Sequence, residues 1–509
     1  MKILDCTLRD GGYYNDWDFD PRTVECYLTA MNRLPVDMIE VGYRSLPSKN
    51  YMGRFGYSPR FELVRLREQS KKRIAVMLNE KDIRVEDLPT VLDSVADLVD
   101  MVRMAIAPDN MARAIELGRA IKERGIAVAF NVMYMSKWHE MPAFLELLPE
   151  LNGWADCINM VDSFGGVTPD DVRRTFAMVR ERTTIPIGFH GHNNLELALI
   201  NTLTAIECGA EWVDATVLGM GRGAGNLKLE LLLAYLNKGG LEVDFNMLGE
   251  VVRCFSTLHV RYGWGTGLPY MLSGANSLPQ KEVMAWVNNR LLSLNSIIRA
   301  LDNKRQNIED NDKFPEWHAE SAERVLIVGG GQRVVEHIDS VREMLKADPK
   351  IVVVHSSSRH AKLFKGLENP QIFCLVGDEG HRMERVFEGL GDFRGRCILP
   401  PYPRKMGTDV PASVVDKTFE LHAVTFTDQF RDSCTAMALQ AAFEMSARSV
   451  MVVGYDGYTD MLLTQRERDL TTENEYILAA FDRAFEGEFV SLTPTLYNAL
   501  RVDSIYHRI

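Results

Sequence analysis

An N-terminal (β/α)8 TIM barrel followed by a C-terminal open α/β domain of Rossmann-like type is the fold class this sequence predicts. Three observations predict it. Eight short apolar or β-branched runs alternate with helix-patterned stretches through the first half of the 509 residues. A polar segment, Asp302 to Lys313, then offers almost nothing to bury. Beyond it a fresh strand–helix alternation begins.

The eight runs are Lys2–Thr7, Val36–Gly42, Arg73–Leu78, Leu98–Ile106, Ile126–Met133, Cys157–Val161, Ile185–Phe189 and Trp212–Leu218. Spacers such as Arg113–Ile121 carry helix periodicity, so the units read as right-handed βαβ and the sheet as parallel. Eight such units are enough to close a barrel, and this count favours closure over a doubly wound open sheet. The barrel with a helical extension, containing Tyr262-Gly263-Trp264-Gly265-Thr266-Gly267, is assigned residues 1–300. Residues 301–322 are read as a linker, because the polar segment Asp302–Lys313 has almost nothing to bury. Residues 323–509 form the second domain, with strands at Arg324–Val328, Ile351–His355, Ile372–Val376, Arg396–Leu399 and Val450–Val453.

Composition excludes several classes. Hydrophobic content of 46% and charged content of 25% are those of a globular chain. A net charge of −12 opposes a nucleic-acid or anionic-membrane partner, because phosphate surfaces reward the opposite sign. Met1-Lys2-Ile3-Leu4-Asp5 runs straight into a strand without the pattern of a secretory signal, and no apolar run is long enough to cross a bilayer. The eight cysteines are scattered, and Cys6, Cys157 and Cys374 sit in apolar runs as buried thiols would. A cytoplasmic enzyme is expected, acting on small molecules; a homo-oligomer is left open.

In a barrel of this kind the C-terminal strand ends converge on one active site. Those ends carry Arg9 and Asp10; Glu40, Tyr43 and Arg44; Arg103; Asn131 and Tyr134; Asp162 and Ser163; and His190-Gly191-His192-Asn193-Asn194. The eighth leads into Gly219-Met220-Gly221-Arg222-Gly223-Ala224-Gly225-Asn226. His190 and His192 are two apart in a strand, so their imidazoles face the same side. Two imidazoles and a carboxylate, Asp10, suit Zn2+, Mn2+, Fe2+ or Co2+. Arg44, Arg103, Asp162 and Ser163 are read as substrate-binding, with Asp162 also a candidate acid. Gly221 and Gly223 belong to a loop that either offers backbone N–H groups to an anion or only permits a tight turn. Thr168 and Pro169 read as the cap and first residue of a helix.

Four of these segments, in order, resemble one family: Leu4-Asp5-Cys6-Thr7-Leu8-Arg9-Asp10-Gly11-Gly12, Ile39-Glu40-Val41-Gly42, Gly188-Phe189-His190-Gly191-His192-Asn193-Asn194 and the Gly219–Asn226 run. The family is the metal-dependent pyruvate aldolase, hydroxymethylglutaryl-CoA lyase and isopropylmalate synthase group. Within it the sequence is most similar to the 4-hydroxy-2-oxovalerate aldolases. The resemblance implies a lyase that makes or breaks a C–C bond of a 4-hydroxy-2-oxo acid, from pyruvate and an aldehyde, through a metal-stabilised enolate. It implies a divalent ion, Mn2+ foremost and otherwise Mg2+, Co2+ or Zn2+, on Asp10, His190 and His192, with Asn226 as a further ligand. Arg9 would add positive charge beside the reacting oxygen, and Glu40 would hold its guanidinium. An acyl-CoA condensing synthase or lyase of the same group is the alternative.

Position 13 departs from the pattern. The aldolases carry histidine there as base on the substrate hydroxyl, and the lyases and synthases carry glutamine. Tyr13, with an ordinary pKa near 10, needs a neighbouring cation to serve as that base. Otherwise it orients the substrate. Tyr270 is a second tyrosine assigned to the substrate.

The second domain is less legible. Val325–Val334 reads as strand, glycine turn and helix start, with Gly329 and Gly331 of a dinucleotide fingerprint but Val334 in the third glycine's place. Val452–Tyr458 and Ser491–Tyr497 are similar to short pieces of sugar-transfer domains of surface-glycan enzymes. The readings are a nucleotide- or sugar-binding domain that supplies a sugar-derived aldehyde for carbohydrate biosynthesis, a glycosyltransferase, or a non-catalytic binding module.

Overall fold

The computed structural model describes residues 1–49, 51–288, 292, 294–308, 313–391, 393–404, 408–458 and 465–509. They fall into two compact units, Met1–Ala285 and Trp286–Ile509. Of the expected linker, residues 309–312 lie outside the described residues. Leu294–Arg305 is a helix grouped with the second unit, not part of the barrel's extension. Arg299 of that helix donates to the Thr408 carbonyl and to the Asp409 carboxylate, each at 2.8 Å, which accounts for the grouping.

The first unit is a closed barrel of eight parallel strands: β1 (Lys2–Asp5), β2 (Met38–Tyr43), β3 (Arg73–Asn79), β4 (Met101–Ile106), β5 (Ala127–Val132), β6 (Cys157–Asp162), β7 (Ile187–Gly191) and β8 (Trp212–Ala215). β8 pairs back onto β1, with Ile3 opposite Val213. Every run expected to be a strand is one. The eighth stops short of Leu218, which turns into a left-handed conformation (φ 54°) within the turn Val217–Gly219.

Alternation along the strands builds the barrel in two shells. Ile39, Val41, Ile74, Val76, Val102 and Val213 point outward into the helix-facing core. Leu4, Met38, Ala75, Met101, Ala129, Cys157 and Trp212 point inward and close the lower barrel. Two residues further along, on the same inward side, stand Glu40, Arg103, Asn159 and Asp214, all buried. The barrel therefore has an apolar floor, a charged middle rung and, above it, the strand ends.

Cys6, Cys157 and Cys374 are buried free thiols, as expected. Cys26 in the helix Pro21–Met31 and Cys254 in the helix Phe245–Tyr262 form a disulfide across 228 residues, a pairing that the scattered spacing did not suggest.

The second unit is an eight-stranded, all-parallel open sheet. Its strands are β9 (Arg324–Val328), β10 (Val352–His355), β11 (Gln371–Cys374), β12 (Arg396–Leu399), β13 (Thr418–Glu420), β14 (Ser449–Val453), β15 (Glu488–Ser491) and β16 (Arg501–Val502), in the order 13-12-11-10-9-14-15-16. β13, β15 and β16 are additions to the sequence reading; two to four residues carry too little periodicity to stand out. Val325 and Ile327 pack on one face with the helix Cys434–Glu444, whereas Leu326 and Val328 pack on the other with the helix Ile338–Ala347. Among the described residues no helix is long and apolar enough to cross a membrane.

Candidate active site

Directly after β1 the chain forms the short helix Thr7–Gly11, which carries Arg9 and Asp10 to the barrel mouth. Thr7 anchors this turn, its hydroxyl on the Asp5 carboxylate (3.0 Å) and accepting the Val217 N–H (2.8 Å). Gly12 is required here: a Cβ would stand 2.0 Å from the indole of Trp17, which donates to the Arg9 carbonyl at 2.9 Å.

One ligand atom from each of Asp10, His190 and His192 lies within 4.8 Å of the others. The two rings are edge to face, 5.1 Å apart. His190 Nδ1 meets the Asp214 carboxylate at 2.8 Å, and His192 Nδ1 meets the Asp162 carbonyl oxygen at 2.7 Å. Both partners are acceptors only, so each Nδ1 carries the proton and each Nε2 is left as a lone-pair donor to an ion. Burial, then His190, pushes the His192 imidazole down to about 3 and keeps it neutral. Burial alone would raise the Asp10 carboxyl, but Arg9, His190, His192 and Arg222 outweigh it and hold it at about 2.

Asn226 joins this group through a bridge between its backbone and that of His192. Its Nδ2 donates to Asp10 at 2.6 Å, while its Oδ1 is buried and accepts no hydrogen bond among the described residues. Two imidazoles with their Nδ1 atoms engaged, an ionised carboxylate and an unsatisfied carboxamide oxygen fit a divalent cation.

Arg9 donates through Nε to Glu40 at 2.7 Å and also contacts Asp10. Burial opposes its charge, but the two carboxylates hold its pKa well above the ordinary value. Glu40 holds it through the single Nε bond, not as a bidentate pair. It also faces Arg103 Nη1 at 3.2 Å, and Arg103 reaches across to Asp214. Arg103 is 1% exposed and lies in the middle rung, where it faces the carboxylates of Glu40 and Asp214.

Tyr13 is the ordering point of an aromatic wall. Its hydroxyl is 2.8 Å from that of Tyr43, its ring packs edge-on to Trp17, and Arg222 lies 4.4 Å over its face. Burial, then Tyr13 itself, pushes Tyr43 well above the usual phenol range, and either hydroxyl of the pair can donate to the other. Tyr270 is buried, at about 12 for that reason, and packs against the glycine-rich loop.

Other expected residues are placed differently. Arg44 is turned onto the carbonyls of Tyr57 (2.6 Å), Ser58 and Val91, where it ties a loop and not a ligand. The Asp162 carboxylate accepts the N–H groups of Gly166 (3.2 Å) and Val167 (3.4 Å), and Ser163 accepts that of Tyr134 at 2.9 Å, so both organise loops. Burial pushes Asp162 up to about 7 despite those bonds. Its carbonyl holds His192. Part of the glycine loop is bonded within the fold. The N–H groups of Gly219, Gly225 and Asn226 bond to loop carbonyls, and that of Gly223 to the Tyr14 hydroxyl at 3.1 Å. At Gly221 a Cβ would lie 2.6 Å from Asn226 Nδ2, so this glycine makes room for Asn226. Thr168 and Pro169 open the helix Pro169–Arg180 with a capping box, as expected.

Asp214 and Arg222 were missed. Asp214 is the lone acid in the apolar strand Trp212–Ala215, a signal that could have marked it. Arg222 was passed over because its segment was read for its glycines.

A family profile described as HMGL-like matches residues 1–253. The 4-hydroxy-2-oxovalerate aldolase of Thermomicrobium roseum is 35% identical over 245 residues, 47% of this chain and 67% of that protein. Its counterpart in Chloroflexus aurantiacus is 33% identical over 47% of this chain and 70% of its own length. Among solved structures, the N-terminal domain of a Bacteroides vulgatus protein provisionally described as an aldolase is 59% identical, with a TM-score of 0.57. It matches 59% of this chain and all of that domain.

Proposed function

This chain belongs to the HMGL-like family and is a carbon–carbon lyase, and on that footing we propose that its barrel is a divalent-metal-dependent aldolase acting on a 4-hydroxy-2-oxo acid. Pyruvate and an aldehyde are the partners of the C–C bond. The observation that carries this reading is the pair of imidazoles whose Nδ1 atoms are both committed to fixed acceptors while one ligand atom from each lies beside an ionised Asp10.

Asp10, His190 and His192 would hold the ion, with Asn226 beside them. When bound, it supplies Lewis acidity toward the carbonyl and carboxylate of a 2-oxo acid. Arg9 meets the negative charge that develops on the ketone oxygen as the bond breaks, in a buried setting where such charge is worth most. Glu40 and Arg103 keep that guanidinium from rotating away. Tyr13, hydrogen-bonded to Tyr43 and faced by Arg222, would hold and orient the substrate's 4-hydroxyl.

The test is exchange of the pyruvate methyl protons in D2O with Mn2+ present. Loss of the methyl proton signal is expected, and absent in Asp10→Ala, which should also lose bound metal; Tyr13→Phe should keep the metal. Acetyl-CoA consumption without proton exchange would replace the aldolase with a condensing synthase. Full metal retention by Asp10→Ala would overturn the ligand assignment.

A further inference from the structure

In the second unit, β9 is flanked by β10 on one side and β14 on the other, and the order of strands reverses there. The helix leading from β9 to β10 covers one face of the sheet and the helix leading into β14 covers the opposite face. The loops beyond the carboxyl ends of β9 and β14 therefore diverge, and in open parallel sheets ligands bind in such a crevice.

Three loops meet at it: Gly329–Arg333, Ser356–His360 and Gly454–Asp456. The Gly330 carbonyl accepts from Arg359 Nη1 at 3.3 Å and lies 3.2 Å from His360 Nε2, which draws a guanidinium and an imidazole to the loop after β9. The Arg333 N–H donates to Asp456 Oδ2 at 2.9 Å. The glycines are explained by packing alone. A Cβ on Gly329 would stand 2.4 Å from the Gly454 carbonyl oxygen, and one on Gly331 2.5 Å from the Asp456 carboxylate.

Packing does not explain the charged groups. Asp456 Oδ1 is buried without a hydrogen-bond partner among the described residues, a state that costs free energy until a donor arrives. Around it Arg359 is exposed and Arg333 and His360 are half-buried. The nearest carboxylate recorded for Arg333 is Glu336, at 3.9 Å, and Arg359 has none among the described residues. Two guanidiniums and an imidazole suit a phosphate, and a lone carboxylate oxygen beside them suits a sugar hydroxyl.

We propose that this crevice is a binding site for a nucleoside monophosphate or its sugar conjugate, with Arg333, Arg359 and His360 on the phosphate and Asp456 on a ribose hydroxyl. A dinucleotide is disfavoured by the same loop. The third glycine of the fingerprint is Val334, whose Cγ2 would stand 2.4 Å from a Cβ on Gly454, and the helix that opens there, Arg333–Glu336, is a single turn.

The full-length protein is titrated calorimetrically with UMP, CMP, GMP, AMP, NAD+ and inorganic phosphate. At least one nucleoside monophosphate should bind more tightly than inorganic phosphate. Arg359→Ala should weaken both by about tenfold, the worth of a charge-assisted contact. Asp456→Asn, which keeps an acceptor for the Arg333 N–H, should weaken the nucleotide and leave phosphate unchanged. The 2′,3′-dideoxy nucleotide should bind wild type and Asp456→Asn alike. The proposal is overturned by failure of every nucleotide to bind, by binding indifferent to both substitutions, or by NAD+ binding more tightly than any monophosphate.

Discussion

Replacing Asp214 by asparagine separates what the charged rung does for the fold from what it does for the site. Asp214 is 3% exposed and its Oδ2 receives both His190 Nδ1, at 2.8 Å, and Arg103 Nη2. Asparagine preserves shape but removes the charge. Arg103 would then face only Glu40, at 3.2 Å, which already binds Arg9 at 2.7 Å. Two buried guanidiniums would share that carboxylate, and breaking a buried pair in this way costs about 3–5 kcal/mol. Against a typical domain stability of about 5–15 kcal/mol, the variant should fold but unfold at visibly lower urea. Separately, loss of the ionic anchor on His190 should weaken metal binding about 10- to 100-fold. Urea titration of the chelated protein reads the first effect, and competition with a chromogenic chelator reads the second. Adding Arg103→Met removes the orphaned charge, so the double variant should recover stability but not metal affinity. A stability loss under about 1 kcal/mol in the single variant would refute the charge argument. Recovery of metal affinity in the double variant would refute the anchoring role.

Two further outcomes follow from the same geometry. Gly221→Ala should push Asn226 from Asp10, because its Cβ would sit 2.6 Å from Nδ2; metal affinity should fall while the far-UV circular dichroism stays unchanged, and unchanged affinity would remove Asn226 from the ligand group. Asp162, raised to about 7 by burial, binds a proton in the folded chain between its unfolded pKa near 4 and 7, so its ionisation costs stability as pH rises through that window. Asp162→Asn should therefore gain on wild type by up to about 1.4 kcal/mol per pH unit from pH 5 to 7 in metal-free urea titrations, and parallel curves would contradict this.

The barrel and the shared side of His190 and His192 were legible because both rest on local regularities. Strand alternation shows in a few residues, and the two-residue spacing of His190 and His192 puts them on one side whatever surrounds them. Asp10 and Glu40 followed from strand-end positions. What each polar side chain actually meets was not legible. Arg44 and Arg103 read as substrate-binding, yet one ties a loop and the other, inside β4, faces acids on β2 and β8. The Cys26–Cys254 disulfide, the Tyr13–Tyr43 contact and the cover of Arg222 join residues distant in the chain, and no periodicity encodes such pairs.

Sequence by itself thus determined the eight strand–helix units, the second parallel sheet and the pairing of His190 with His192 on one side of the chain, since these depend on residue type and spacing along one element. Tertiary structure alone decided which nitrogen of each imidazole stays open, because that depends on Asp214 and the Asp162 carbonyl from other strands. It also decided where the second sheet reverses its order, and hence where Asp456 and Arg359 are both brought near His360, because strand order is set by packing across the sheet and not by any stretch of chain.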